Sequence, residues 1–491
     1  MAESASWHVF KNLSLLLLSL IALPFTTLAL LITICLPSFH HGPRSNATNP
    51  KRILVTGISM SKGLAIARLL YRQGHVVIGA DCHRFCAGRV SRAIRRFHLL
   101  PTCVQQSVRA DGTGQDPYTS RLLQIVVSER IDLWISASDV KGAVRDGLAR
   151  DLVEQFTPAK AIQLGQDDVA TLDDKSTFME YVRSLGLTIP DTHYVGSRAE
   201  LEAFLVDRDG LSLRPGGKQY IVKPVGVNDV ARFGMPLLPC PTEQQTMAGI
   251  GTVDFDSGAP FIVQEYIQGE EYCTHALVIR GEVRAFVACP SSELLMHYTA
   301  LPGHSPLSES MLDFTRKVIG AQGNNRWTGH VSFDFLVPHT HDEEAPGAPD
   351  VYPIECNPRV HTAVLLFNQT PELVEEYLSA LQPVPGHRDR PLYPVQPQRT
   401  YWAGQDLVEK VLYPAFETIF LRTRSLHSLA KSVAEFGQHV FYWKDGVFEI
   451  WDPFPFWWLH HVQWPLLFTQ YLFKGRWHRV NVSTGKVFGA S

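Results

Sequence analysis

Paired cysteines are scarce in this sequence: eight cysteines are scattered over 491 residues, and none forms a CxxC unit. A disulfide framework and the usual zinc-site spacings are therefore excluded, and the nearest pair, Cys82 and Cys86, reads as two ordinary thiols in a reducing compartment. A dominant charge is missing too. Charged residues make up 19% of the chain and the formal net charge is -3, so no polyanion-binding face and no nucleic-acid partner are expected. The third absence is an intact glycine fingerprint. In GISMSKG (57–63), Ser59 stands where a dinucleotide site needs its second glycine, and Lys62 precedes the last glycine where a P-loop lysine would follow it. The segment reads as a βαβ turn in a structural or substrate-facing unit, with no ribose-binding role for Asp81.

What is present is enough apolar material, 45% of residues, for several cores. Leu13 to Leu36 runs 24 residues without a charge, long enough to cross a bilayer, which needs ~20. It is too long for a signal-peptide core and lacks a small-residue cleavage site. The spacing predicts a membrane anchor or a hairpin-like association, with a possible kink at Pro24. Arg44, Lys51 and Arg52 follow it and place the downstream chain in the cytoplasm; a helix packed on the protein itself is the rival.

After a linker ending near residue 50, Lys51 to Asp81 alternates strand, turn, helix and strand, and the pattern continues to about 165. A small doubly wound α/β unit is expected over 51–165. From Asp167 one helical pattern extends towards Gly186 and Pro190. Short β-type runs then follow at 218–225, 259–267, 271–279, 282–289, 329–337 and 351–359, which predict a largely antiparallel region within 166–380. The acidic loop 338–350 reads as solvated, not metal-binding. Beyond a Pro-rich linker, 381–491 is rich in aromatics, notably DPFPFWWLHHVQ, and reads as a cover over the rest of the chain or as an interfacial surface.

The chemistry concentrates in YPIECNPRVHTAV (352–364). Side chains alternate across a strand, so Glu355, Asn357 and Arg359 share one face, while Ile354, Cys356 and Pro358 are expected in the core. On the preceding strand Asp334 and Ser332 share a face opposite Val331, Phe333 and Phe335. Two carboxylates and an amide oxygen on adjacent strands suit a hard cation, and Arg359 offers a planar fork for phosphate. Lys223 lies in an apolar strand, where an anionic partner is expected. Lys175 follows Asp173 and Asp174, and a surface ion pair is its alternative reading. Glu265, Tyr266 and Ile267 form a backbone hinge ahead of Glu271, and GVNDVARFG (226–234) is a candidate phosphate lid.

In that order, DDK (173–175), IVKP (221–224), QEYIQGEE (264–271), SFDF (332–335) and ECNPR (355–359) resemble the ATP-grasp ligases over Lys51 to about Ala380. The resemblance implies a mixed α/β (α+β) fold, in which a Rossmann-like domain precedes an ATP-grasp domain, here with an N-terminal hydrophobic helix and an aromatic-rich C-terminal region added. It implies that Lys175 and Lys223 contact ATP phosphates, that Glu265 to Ile267 present the adenine hinge and that Glu271 holds ribose. Asp334, Glu355 and Asn357 would hold Mg2+ or Mn2+, and Arg359 would stabilise the transferred phosphate. A narrower resemblance, carried by CLPSF, GEEYCTHALVIRGEV, GHVSFDF, PIECNPRVHTAV and DPFPFWWLHHVQ, is to MysC-type mycosporine-glycine synthases. That family joins glycine to 4-deoxygadusol with ATP. His275 and His361 fall in these motifs and are candidate substrate contacts, with a core role as their alternative. A carboxylate-amine ligase acting through an acyl phosphate is the competing enzyme reading.

Overall fold

The computed structural model describes residues 5–36, 45, 47–102, 116–138, 142–208, 210–224, 236–255, 261–291, 297–321, 323, 327–339, 349–383, 386, 388–473, 478–480 and 487–489. The candidate lid 226–234 and most of the acidic loop 338–350 lie outside the described residues. The chain opens with helix α1 (Ala5–Cys35), which includes Pro24. A parallel five-stranded sheet follows, made of β1 (Arg52–Thr56), β2 (Val76–Asp81), β3 (Ile94–Leu99), β4 (Leu133–Ser136) and β5 (Lys160–Ile162), in the order β3-β2-β1-β4-β5. Its central strands are buried, as strands covered on both faces must be: Ile53, Leu54, Val55, Leu133, Trp134 and Ile135 have no solvent exposure. Helices α2 (Ser61–Arg72), α3 (Pro117–Ser128) and α4 (Ala143–Phe156) make three of the four connections, and a 3-10 turn at Ala87–Val90 makes the one from β2 to β3.

The glycines of the first turn serve packing. Gly57 has φ +76°, and a Cβ there would meet the Ala137 carbonyl oxygen at 2.3 Å; one on Gly63 would meet the Gly57 carbonyl oxygen at 2.3 Å. Asp81, at the end of β2, accepts the Ser59 N–H at 2.7 Å and the His83 N–H at 2.8 Å, so it caps the turn. The mouth of the turn is filled from the C-terminal region: Gln463 donates to the Ser59 carbonyl at 3.2 Å and accepts the Ala87 N–H at 2.6 Å.

The helical pattern that starts at Asp167 is two helices, not one. α5 (Gln166–Asp173) stops where Asp174 leaves helical geometry (φ -82°, ψ 124°), and its carboxylate caps α6 (Lys175–Ser184) by accepting the N–H groups of Ser176 at 2.9 Å and Thr177 at 3.1 Å. A short acidic side chain at a helix start satisfies amides that the helix cannot, which is why the break falls there.

Two antiparallel sheets follow. The first contains β6 (Thr192–Val195), β7 (Tyr220–Pro224), β8 (Leu237–Leu238) and β9 (Phe261–Glu265) in the order β6-β9-β7-β8, with α7 (Arg198–Arg208) and α8 (Glu243–Gly251). Leu201, Leu205, Val222, Leu238, Ile250 and Val263 form its core. The second contains β10 (Gly269–Ile279), β11 (Glu282–Pro290), β12 (Gly329–Pro338) and β13 (Tyr352–Asn357) in the order β11-β10-β12-β13. Arg280 and Gly281 both have positive φ, 48° and 77°, and join β10 to β11 in the tight turn that matches strand twist. Phe333 of β12 packs on Phe178 of α6 and Phe314 of α9 (Pro306–Gly320), with ring centroids 5.8 and 5.4 Å away.

The expected alternation on β13 holds from Glu355 onward and fails before it. The register slips between Asp334 and Phe335, which pair with Glu355 and Pro353, so Ile354 is a bulge and is only half-buried while Pro353 is buried. β13 is an edge strand, where a proline and a bulge are tolerated. The C-terminal region packs over the parallel sheet and α2: Arg68 is ion-paired to Asp452 at 2.9 Å and donates to the Val447 carbonyl at 2.6 Å, and Tyr71 stacks on Trp451 at 5.7 Å.

Candidate active site

The bulge ends where the polar face begins. Asp334 and Glu355 sit directly opposite each other on β12 and β13, and Ser332 opposes Asn357. Asn357 donates to Asp334 Oδ2 at 3.0 Å. Arg359, just past the strand, hydrogen bonds to Asn357 Oδ1 and to Asp173 Oδ1, the latter at 3.2 Å. Lys175, the first residue of α6, is ion-paired to Glu355 at 2.7 Å. The break at Asp174 therefore sends Asp173 to Arg359 and Lys175 to Glu355, so the ion pair that is the alternative reading of Lys175 is formed across the fold.

Electrostatics identify the strained member of this group. Asp334 is pushed well above the usual carboxylate range, first by burial and then by the neighbouring Glu355 and Glu271 carboxylates, with Arg359 and Lys175 opposing. A cation held between these oxygens would relieve that repulsion, and all-oxygen donors at a carboxylate pair fit a hard divalent ion. Glu271 belongs to the same neighbourhood. It also accepts from Ser291 Oγ at 2.8 Å.

Lys223, Glu265, Tyr266 and Ile267 form a second group on the other antiparallel sheet. Lys223 Nζ donates to Gln264 Oε1 at 2.9 Å, a partner the sequence reading had not named. The Glu265 carboxylate is paired with Lys218 at 2.8 Å, and the amides of Glu265 and Tyr266 donate to the carbonyls of Asp191 and Gln219, each at 2.7 Å. This hinge joins β9 to β10, and the Glu265 charge reaches Tyr352 at the head of β13, contributing to the raised pKa of that phenol after burial and Asp350.

Behind the first group lies a cluster that sequence reasoning missed in part. Lys62, from the first βα turn, is buried and donates to the carbonyls of Val360 at 2.8 Å and Ser138 at 3.1 Å. His275 is buried, stacks on His330 at 5.3 Å and accepts the His361 N–H at 3.4 Å. Its contacts are those of a core residue that positions His361. His361 Nδ1 accepts the Ala363 N–H at 3.3 Å, so in the neutral ring the proton is on Nε2. Burial, Lys62 and Arg359 push His361 down to about 3, and burial and Lys62 do the same to His330. Lys62 carried a signal only as a lysine among apolar residues in GISMSKG, and its partner is 298 positions away.

No protein-family model matches the chain, and no curated protein sequence matches it. Among solved structures it is similar to N5-carboxyaminoimidazole synthetase from Staphylococcus aureus complexed with ADP, at 14% identity over 77% of this chain and 89% of that chain, with a TM-score of 0.48. It is similar to phosphoribosylglycinamide synthetase from Anaerococcus prevotii at 18% identity, over 68% and 74% of the two chains, with a TM-score of 0.45. An L-amino acid ligase from Bacillus licheniformis matches at 15% identity over 69% and 76%, with a TM-score of 0.45.

Proposed function

We propose that this chain is an ATP-dependent ligase of the ATP-grasp kind that joins glycine to 4-deoxygadusol. The observation that carries this reading is the group Asp334, Glu355, Asn357, Arg359 and Lys175, brought from two strands and a helix start into one charged cluster. Asp334, Glu355 and Asn357 would hold Mg2+ or Mn2+, which neutralises the phosphates when bound. Lys175 and Lys223 would bind ATP phosphates. Glu265 and Tyr266 have committed amides, so Ile267 would supply the hinge amide for adenine, with Glu271 at the ribose. The working units would be 51–165 and 166–380, with 381–491 as a cover and 1–50 as anchor and linker.

In the proposed reaction the γ-phosphoryl group passes to an enolic oxygen of the cyclohexenone and ADP leaves. The glycine amine then adds to the carbon bearing that oxygen, and the C–O bond breaks to release phosphate. Arg359 would stabilise charge on the group in transfer. His361, with its Nε2–H, would meet an anionic oxygen of the acceptor, held in place through its own amide by His275. The same machinery serves a carboxylate acceptor through an acyl phosphate. The test is turnover with ATP, Mg2+, glycine and 4-deoxygadusol, following ADP and a new near-UV absorber; ADP formed with a carboxylate acceptor and none with the cyclohexenone moves the assignment to a carboxylate-amine ligase. We also propose that the chain is membrane-associated through α1, with the catalytic residues on the cytoplasmic side.

A further inference from the structure

Helix α1 is amphipathic in the inverted sense. Its buried or half-buried positions recur at helical spacing as Lys11, Asn12, Leu15, Ser19, Ala22, Thr26 and Leu30, so most of the polar residues of α1 face the protein. Lys11 is ion-paired to Glu409, Ser19 donates to the His460 carbonyl at 2.8 Å, Thr26 hydrogen bonds with His461 at 2.7 Å, and Trp457 donates to Thr27 at 3.0 Å. The exposed positions, including Leu13, Leu17, Leu20, Ile21, Phe25, Leu28, Leu31 and Ile32, are apolar, and Phe25 is 71% exposed. A helix whose hydroxyls point inward and whose leucines point outward is stable only if the outer medium is apolar.

The outer face continues into the C-terminal region. Phe10 packs against Tyr413 and Phe416 at 5.5 and 4.9 Å, and Phe416 against Phe420 at 5.4 Å. Beyond them Phe420, Leu421, Leu426, Phe441 and Tyr442 are exposed, the last two at 82%. Summed with those of α1, these side chains expose on the order of 1,000 Å² of apolar surface, where the largest contiguous patch on a soluble monomer is ~300–600 Å². Exposed Arg422 follows Leu421, and exposed Lys431 lies on the helix that begins at Leu426; both charges suit anionic headgroups.

We infer that α1 lies in the plane of a membrane, inserted into one leaflet together with the Phe420–Leu426 turn and the Phe441–Tyr442 helix end, and does not cross. This deepens the membrane association proposed above and does not depend on the ligase chemistry. The docked face of α1 runs from Lys11 to Leu30, roughly 28 Å at ~1.5 Å per residue. Apart from Glu409, its polar partners there, Trp457, His460 and His461, belong to the segment that caps the parallel sheet through Gln463 and Asp452. A spanning helix would carry those polar contacts, and the segment that makes them, through the hydrocarbon core, where unsatisfied polar groups are costly. The in-plane arrangement keeps them on the protein side.

The test uses full-length protein in two measurements. In flotation with phosphatidylcholine and phosphatidylcholine/phosphatidylserine vesicles, the chain should float, more strongly with phosphatidylserine. A Leu17→Asp/Ile21→Asp/Phe25→Asp variant should lose at least tenfold in bound fraction while keeping its thermal unfolding transition. In sealed membranes, a membrane-impermeant maleimide read out by peptide mass spectrometry should label native Cys35 and a Ser6→Cys variant from the same side. Labelling of only one end before detergent is added would show a spanning helix and overturn the in-plane reading while leaving membrane association intact. Failure to float, whether the detergent-free chain is a monomer or a dimer closed over this face, would overturn both.

Discussion

The Lys62 ammonium donates to the Val360 carbonyl oxygen at 2.8 Å and so ties the first βα turn to the residue between Arg359 and His361. Lys62→Met removes the donor and leaves the Val360 and Ser138 carbonyls without it; each unsatisfied buried acceptor costs ~1–3 kcal/mol. The expected result in urea unfolding is a loss of about 2–4 kcal/mol, with a fall in turnover that exceeds the unfolded fraction. Unchanged turnover in the folded variant would separate this lysine from the positioning of Arg359 and His361.

Asp334 and Glu355 face each other on adjacent strands, with Lys175 paired to Glu355, and under the proposed function they would hold a divalent ion. Glu355→Gln should lower kcat by about 10²-fold or more and raise the Mg2+ concentration needed for half-maximal rate. A titration of rate against Mg2+ checks it, and full turnover in that variant would remove the metal assignment.

Arg359 bridges Asp173 and Asn357 through two nitrogens of one plane. Lysine retains the charge but not the fork. Arg359→Lys should therefore reduce kcat by about 10²-fold with a small change in KM for ATP, a split that steady-state kinetics resolves.

Asp174 ends one helix and starts the next, and hydrogen bonds from Ser176 and Thr177 hold its carboxyl below the usual range against the opposing effect of burial. Asp174→Ala should cost ~1 kcal/mol of stability. Activity should fall further than stability, because Lys175 is the first residue of the helix the cap secures. Asp174→Ser keeps an acceptor and should restore most of it.

His275, His330 and His361 are all held below their ordinary value of 6.5, chiefly by burial, the last two at about 3. Between pH ~6.5 and ~3 the unfolded chain binds protons that the folded chain refuses, so stability rises with pH across this window and is lost as pH falls through it. Thermal unfolding followed from pH 7.5 to 4 should show a declining Tm. A His330→Gln variant should have a flatter profile, even if its Tm at pH 7.5 is lower.

Local chemistry was legible in the sequence where it depends on period alone. The shared face of Glu355, Asn357 and Arg359 follows from strand alternation, and the β10–β11 hairpin from its spacing. Ile354 was misread as core because a bulge changes the phase without altering composition. The single helix expected after Asp167 became two because a cap residue looks like any other acid in a polar stretch. Partners such as Lys62 and Val360, or Lys175 and Glu355, come from distant segments, and periodicity carries no information about which ends meet. The uniform leucine run of α1 hid which face docks for the opposite reason: a packed helix was the rival reading, but Ser19 and Thr26 mark its docked face only through partners on the distant C-terminal region.

The cap at Asp174 also shapes what a nucleotide would meet at the proposed site. Lys175 pairs with Glu355 and Arg359 with Asp173, so the carboxylates of the proposed site already have counterions within the chain. MgATP would then bind by exchanging partners: the metal would take the carboxylates and the phosphates the two cations they release. If the proposed site works this way, each half of that exchange would break an internal ion pair without replacing it, so free ATP and free Mg2+ should each bind more weakly than MgATP, and the internal pairs would re-form after product release.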